Sequence, residues 1–538
     1  MIRPRTRSRA ARASFAFLIV LAGCTAHTPP KPVAGGIRIE SGEPGSLDPV
    51  RAGDPDEIAI VRNMFRGLVT YDAVTAETKP AAATSWRVRS DAEQFTFVLR
   101  HDDRFSNGER VTADSFVRAF NRLASKAVGS PLAGVLSGVA GFDEFRAAKI
   151  DSLTGVVALD EFRLQITLTA PDADFVDKLG QPALSPIPSD NAMAAQRPSF
   201  AEHPIGNGPF QLDRWVHNES ITLKPNPRYY GKKPALSEAT FVVLDNLGDA
   251  YDQWKAGNLD WTPVPPEKAR EAQLQNPSRL IKRATGTLLY LVAITDLSPT
   301  KNVALREAIS LAIDRRSLAT QLFAGTAQAA TGVFPPSMPG YRDPGSGVGP
   351  CSFCTFDETH ARDVLAAAHI KPTTTVRVAY AEGSGTDAWA QRITADVGRT
   401  LHLPTQLIPK KPLSDYRAFV AGAKGGLVGA ETIAMRAPTP ADFLDRMFVS
   451  GGEEALSRWN SGAFNGLASQ AKSETDDTAR EILYRHAEDA ILGSLPIIPL
   501  WFAGELRLVN LTRFSKLTMD TFGYPTIDTA IPTSQATS

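Results

Sequence analysis

The sequence predicts an α/β protein built as two or more packed lobes, and two observations carry that prediction. The chain has 538 residues, too many for one small core, and its 43% hydrophobic and 22% charged content is ordinary for a globular protein. Strand and helix periods also alternate along it, most plainly from Phe95 to Leu123. Phe95, Phe97 and Leu99 alternate with Thr96, Val98 and Arg100, the two-residue period of a strand with one buried face. Asp102-Asp103 and Asn107-Gly108 mark turns, and Thr112 or Asp114 then caps a helix whose apolar face is Phe116, Val117, Phe120 and Leu123.

The N-terminus reads as a targeting segment. Residues 1–23 carry Arg3, Arg5, Arg7, Arg9 and Arg12, no acid, and an apolar run from Phe15 to Leu21 that is too short to span a bilayer. Leu21-Ala22-Gly23-Cys24 resembles a bacterial lipobox, which implies that Cys24 is acylated and becomes the first mature residue, anchoring the protein outside the cell membrane. Residues 24–36 are Pro- and Gly-rich and read as a tether. Without the leader arginines acidic residues outnumber basic ones by about five, and no basic stripe is present, which argues against nucleic acid as a partner.

Two cysteines remain, Cys351 and Cys354, after the Pro/Gly-rich stretch Pro335–Pro350. In an oxidising compartment such a pair is expected to form a structural disulfide. A redox role would want a strand in front and a helix N-terminus behind, and zinc would need two further ligands; the eight histidines are scattered, so no metal site is expected.

The remaining elements follow in order. Ile37–Glu40 opens a strand that ends in the loop Ser41–Pro49. A helix from about Asp56 places Ile58, Val61, Met64 and Phe65 on one face, with Gly67 as its stop. Val156–Leu168 reads as two strands joined through Asp160-Glu161. Gly206 and Gly208 flank Asn207, where bare backbone lets a ligand approach closely. Leu288–Ile294 is an apolar strand, Asn302–Leu322 one helix, Val376–Tyr380 a strand, Trp389–Leu401 an amphipathic helix, Pro404–Pro409 a strand and Ala479–Leu492 the last large helix. The carboxylate pairs Asp102-Asp103 and Asp476-Asp477 read as solvated turn residues. No nucleophile elbow, phosphate-binding loop or dinucleotide fingerprint occurs, so no enzyme and no cofactor is expected.

Phe97-Val-Leu-Arg100 followed by Arg104-Phe-Ser-Asn-Gly-Glu-Arg-Val-Thr-Ala-Asp-Ser-Phe116 resembles the signature segment of the peptide/nickel-type extracytoplasmic solute-binding proteins of ABC importers, family 5. Further blocks match in the family's order: Gly42–Pro49, Asn63–Asp72, Pro80–Trp86, Pro204–Phe210, Leu212–Pro234, Ala256–Asp260, Asn302–Leu318, Leu413–Tyr416 and Leu495–Trp501. The resemblance runs from about residue 37 to 505. It implies a two-lobed periplasmic-binding-protein-like fold with mixed sheets and a hinge: a first lobe of residues 37–285 with a return of 495–532, a second lobe of 286–494, and a tail of 533–538. It implies a monomer that captures short peptides in an interlobe cleft and passes them to membrane permease subunits.

The resemblance also supplies candidate ligand-binding residues. Backbone of Glu43, Gly45 and Ser46 faces that of Thr432, Ile433 and Ala434, with Phe65, Asn207 and Trp501 as further cleft positions. One departure stands out: Arg436 lies where peptide binders of the family carry the aspartate that pairs with the ligand's α-ammonium. Arg436 then faces an anion, or Glu431 or Glu43 holds the ammonium, or the register of the match shifts; an ion pair of Arg436 with a neighbouring side chain is the plainer reading. A non-peptide cargo (haem, a nickel chelate, glutathione or an oligosaccharide) and an envelope sensor are the alternatives on the same scaffold.

Overall fold

A computed structural model describes residues 33–190, 199–345, 347 and 349–533. The leader, Cys24 and most of the tether and tail lie outside these residues.

The signature segment folds as its periods require. Gln94–Leu99 is a strand, Phe105 N–H closes on Glu109 C=O around the Asn107-Gly108 turn, and the helix Ala113–Ala124 starts at Thr112. Phe116, Phe120 and Leu123 are buried against the four-stranded sheet ordered Ala83–Val88, Gln94–Leu99, Arg163–Thr167, Val156–Asp160. Asp103 departs from its expected solvated state: it is buried, and burial pushes its carboxyl up to about 7 against a hydrogen bond from Asn207.

An eleven-stranded mixed sheet joins the two lobes. Its main path runs Thr405–Lys410, Val376–Ala381, Val428–Ala434, Leu280–Ala293, Ile497–Val509, Trp261–Pro263, Ile37–Ser41, Ala239–Val243, Ser220–Pro225, Phe210–Val216. The two long strands, 14 and 13 residues, pair antiparallel from Leu280 opposite Leu508 to Val292 opposite Ile497. Their register breaks between Ala284 and Leu288. A break in both long strands at one level is where a hinge bends with least loss of pairing.

The cores divide at that break. One cluster takes residues from Ile37 to Trp261 together with Val509–Ala530. Beyond the break alternate residues of one strand enter two cores on opposite sheet faces: Leu288, Tyr290 and Val292 on one, Leu289, Leu291 and Ala293 on the other. Leu495, Ile497 and Phe502 belong to the first of these cores and Trp501 to the second.

Two helix boundaries differ from expectation. Asn302–Leu322 is two helices, Val303–Leu311 and Arg315–Phe323, because Asp314 Oδ1 accepts the Ser317 N–H at 3.0 Å and starts a new N-terminus. The helix Pro55–Met64 ends before Gly67, at an extended Phe65; Gly67 is required instead where a Cβ would lie 2.8 Å from the Leu179 carbonyl oxygen. Cys351 and Cys354 are joined in a disulfide.

Candidate ligand-binding cleft

Val428–Ala434 is paired along its whole length on one side, to Leu280–Ala293, but on the other side only Val428 and Gly429 are paired, to Val378 and Ala379. The remaining edge is open backbone. Met435 N–H donates to Gly286 C=O at 2.7 Å and Ile294 N–H to Leu427 C=O at 3.1 Å. Odd-numbered residues therefore turn their backbone groups toward the paired strand, and Ala430, Thr432 and Ala434 turn theirs to the open edge. The side chains of Thr432 and Ala434 are exposed, while Ile433 is core.

Neighbouring side chains occupy part of that edge. Tyr416 hydroxyl donates to Ala430 C=O at 3.0 Å, and Thr432 N–H lies against the Glu431 carboxylate. At the other end Arg446 Nη1 donates to Ala434 C=O at 2.9 Å, and Arg436 N–H donates to Asp442 Oδ2 at 2.8 Å. Arg446 is held in place by two 3.0 Å bonds to Glu454 and one of 3.2 Å to Asp442. Among the described residues Thr432 C=O and Ala434 N–H have no partner.

The ionisable candidates are largely engaged. Arg436 is half-exposed and pairs through Nη2 with Glu453 Oε2 at 2.9 Å, the ion-pair reading of this residue. Burial works against the charge of Glu453, yet the Arg436 hydrogen bond and charge hold it below the ordinary carboxylate range. Glu453 also approaches the first lobe: a Cβ on Gly134 would lie 3.5 Å from its Oε1. Glu431 is buried on the Tyr290 and Tyr416 side of the sheet, where burial pushes its carboxyl up to about 7 despite Arg417 at 3.9 Å. It is poorly placed to receive a ligand ammonium. Glu43 accepts from Trp215 Nε1 at 3.2 Å and Asn218 N–H at 3.1 Å and meets His217 Nδ1 at 2.9 Å, so it braces the hairpin behind it.

Other expected cleft positions make contacts within their own lobe. Gly45 N–H donates to Glu57 Oε1 and Ser46 Oγ accepts from Asp48 N–H, so the loop is locked onto the helix Pro55–Met64. Phe65 is core of the first lobe. Asn207 is fully buried and joins Arg66 N–H and C=O to Asp103 at 2.9, 3.0 and 3.1 Å. Gly206 and Gly208 serve the same contact; a Cβ on either would lie 2.0–2.4 Å from Met64 backbone atoms, so their bareness admits the chain itself and not a ligand. Trp501 is fully buried beside Phe323 and Trp389 and donates to Arg315 C=O at 2.8 Å. Among the described residues no hydrogen bond joins Glu43–Ser46 to Thr432–Ala434.

The lobes meet directly elsewhere. Ala173 N–H donates to Lys472 C=O at 2.8 Å, Arg480 Nε lies 3.2 Å from Asp174 Oδ1, Tyr484 hydroxyl donates to Asp174, and Lys178 reaches Asp445 at 3.9 Å. Burial pushes the Asp177 carboxyl up to about 7. A cavity of about 540 Å³ opens beside these contacts, walled by Trp86 and Asp177 from one lobe and Pro438, Pro440 and Arg480 from the other. Sequence reading missed Tyr416, Asp442, Arg446 and Glu453, whose roles arise only where the second-lobe helices close on the strand edge.

A two-lobed α/β molecule with a double-strand hinge and an interlobe cleft is the architecture of an extracytoplasmic binding protein. The chain belongs to the bacterial extracellular solute-binding proteins, family 5, whose model matches residues 77–400; the family consists of binding proteins rather than enzymes. It is 27% identical over 489 residues to the probable deoxycholate-binding periplasmic protein YgiS of Escherichia coli, covering 87% of this chain and 88% of that one. It is also 27% identical over 480 residues to the periplasmic murein peptide-binding protein MppA of Escherichia coli, covering 87% of each. The unliganded open form of the MppA murein tripeptide binding protein superposes with a TM-score of 0.81 at 24% identity, over 93% of this chain and 97% of that one.

Proposed function

We propose that the protein captures short peptides between its lobes and delivers them to an ABC importer, held as a monomer at the cell membrane by lipid on Cys24. The observation that carries the peptide reading is the open strand edge at Thr432–Ala434. An extended peptide laid against it completes the ladder through main-chain bonds that any side-chain sequence can make. In this reading the lobes bend at the register break between Ala284 and Leu288, and closure brings the first-lobe wall over the bound strand. A micromolar Kd needs only about 8 kcal/mol net, within reach of a few such bonds and one charged contact. The name of MppA, a murein peptide binder, supports this reading, whereas that of YgiS, a probable deoxycholate binder, belongs with the non-peptide alternative.

The test is to purify the protein gently, unfold it and weigh what is released. Masses that fragment as short peptides support the reading, and a single sterol-like or tetrapyrrole mass overturns it. For the anchor, a Cys24→Ala chain is expected in the soluble extracytoplasmic fraction; its persistence in the membrane fraction would remove the lipid tether.

A further inference from the structure

The open edge is narrow, and its narrowness is built. Between Ala430 and Arg436 four backbone groups facing outward are accounted for in a fixed pattern. Tyr416 holds Ala430 C=O and the Glu431 carboxylate covers Thr432 N–H. Arg446 holds Ala434 C=O and Asp442 holds Arg436 N–H. Only Thr432 C=O and Ala434 N–H, flanking Ile433, stay open among the described residues. The blocking groups are not mobile surface side chains. Tyr416 is fully buried, and Arg446 makes three further bonds to Glu454 and Asp442.

From this pattern we propose, resting on the peptide reading above, that the edge admits a single peptide unit and that Tyr416 and Arg446 are the positioning residues that set ligand length. One acceptor and one donor on either side of Ile433 pair with one ligand residue in a parallel ladder, or with the two neighbours of one residue in an antiparallel ladder. A ligand of two or three residues fills the gap. A fourth residue meets the Arg446 guanidinium standing over Ala434 C=O or the Tyr416 hydroxyl standing over Ala430 C=O, and with that space taken it gains no further ladder bond. The protein selects dipeptides and tripeptides over longer chains.

The test is a calorimetric titration of the purified full mature protein with unblocked alanine peptides of two, three, four and five residues. Each ladder bond gained is worth about fivefold in Kd. The expected result is a fall in Kd no further than the tripeptide, with the tetra- and pentapeptides within about threefold of it. A Kd that keeps falling about fivefold per added residue overturns the length limit and leaves the peptide reading standing. No binding at any length by a folded chain removes the peptide reading and the limit with it. Ala434→Pro deletes the open donor without touching the paired side of the strand. It is expected to weaken tripeptide binding at least about fivefold with an unchanged far-ultraviolet spectrum. Unchanged affinity in that variant overturns the proposal; if it fails to fold, the length series alone decides.

Discussion

Asn207 sits between two glycines in a segment that reads as a ligand-facing turn, yet every polar atom of its side chain is bonded inside the first lobe. Asn207→Ala strands Arg66 N–H, Arg66 C=O and one Asp103 oxygen. It is expected to lower stability by about 2–4 kcal/mol, measured by urea denaturation, while a folded fraction binds ligand as before. A variant as stable as the native chain would contradict this role. Asp103 leads to a second expectation. A carboxyl of ordinary value near 4 in the unfolded chain and about 7 in the fold binds more protons when folded across that interval. Stability is therefore highest at the acid end of the interval and falls as pH rises through 7. Glu40, Asp177 and Glu431, also pushed up to about 7 by burial, act in the same direction. The melting temperature is expected to be lower at pH 8 than at pH 5.5, and Asp103→Asn to flatten that slope. An equal slope in the variant would assign it to the other buried carboxyl groups.

At the scale of elements, Arg315 shows how a helix break becomes a joint. Its guanidinium, fully buried, donates to Pro499 C=O at 2.8 Å, Ser310 C=O at 2.9 Å, Cys354 C=O at 3.1 Å and Ser310 Oγ at 2.8 Å. One side chain thus ties two helices, the disulfide turn and the second crossover strand together. Among the described residues no carboxylate pairs with it; burial lowers it to about 9, and the carbonyl dipoles are what it meets. Arg315→Met removes the donors and leaves buried carbonyl groups unpaired, an expected loss of at least about 4 kcal/mol, read as a drop in melting temperature. Retained stability would mean that water replaces the guanidinium. Arg306 plays a similar part for the turn at Ser494-Leu495, bonding to both carbonyl groups.

At the scale of the molecule, two crossover strands and, among the described residues, a cluster of polar contacts from Ala173, Asp174 and Lys178 to Lys472, Arg480, Tyr484 and Asp445 connect the lobes. Asp174 carries much of that contact, since it meets both Arg480 and Tyr484 while burial raises its carboxyl. Saturating ligand is expected to reduce the radius of gyration in small-angle scattering as the strands bend at their register break. An unchanged radius would mean that the lobes close without a bend there. Asp174→Asn keeps the shape but removes the charge facing Arg480. It is expected to broaden the scattering of the ligand-free protein relative to native and to leave the ligand-bound curve alike.

The strands, most helices and the family were legible in the sequence, because periods of two and 3.6 residues and the turn residues between them are local properties. Thr112 as a cap, the Asn107-Gly108 turn and the crossover strand at Leu288 needed no distant partner to be recognised. What each candidate side chain does was decided only by tertiary structure. Asp103 and Asn207 are 104 positions apart and make one buried hydrogen bond. Glu43 is held from a hairpin more than 170 residues away. The width of the open edge depends on Tyr416 and Arg446, whose helices reach the strand only after the second-lobe core has closed. Local pattern specifies which backbone can pair; the long-range packing of side chains specifies which of those pairs is left for a ligand.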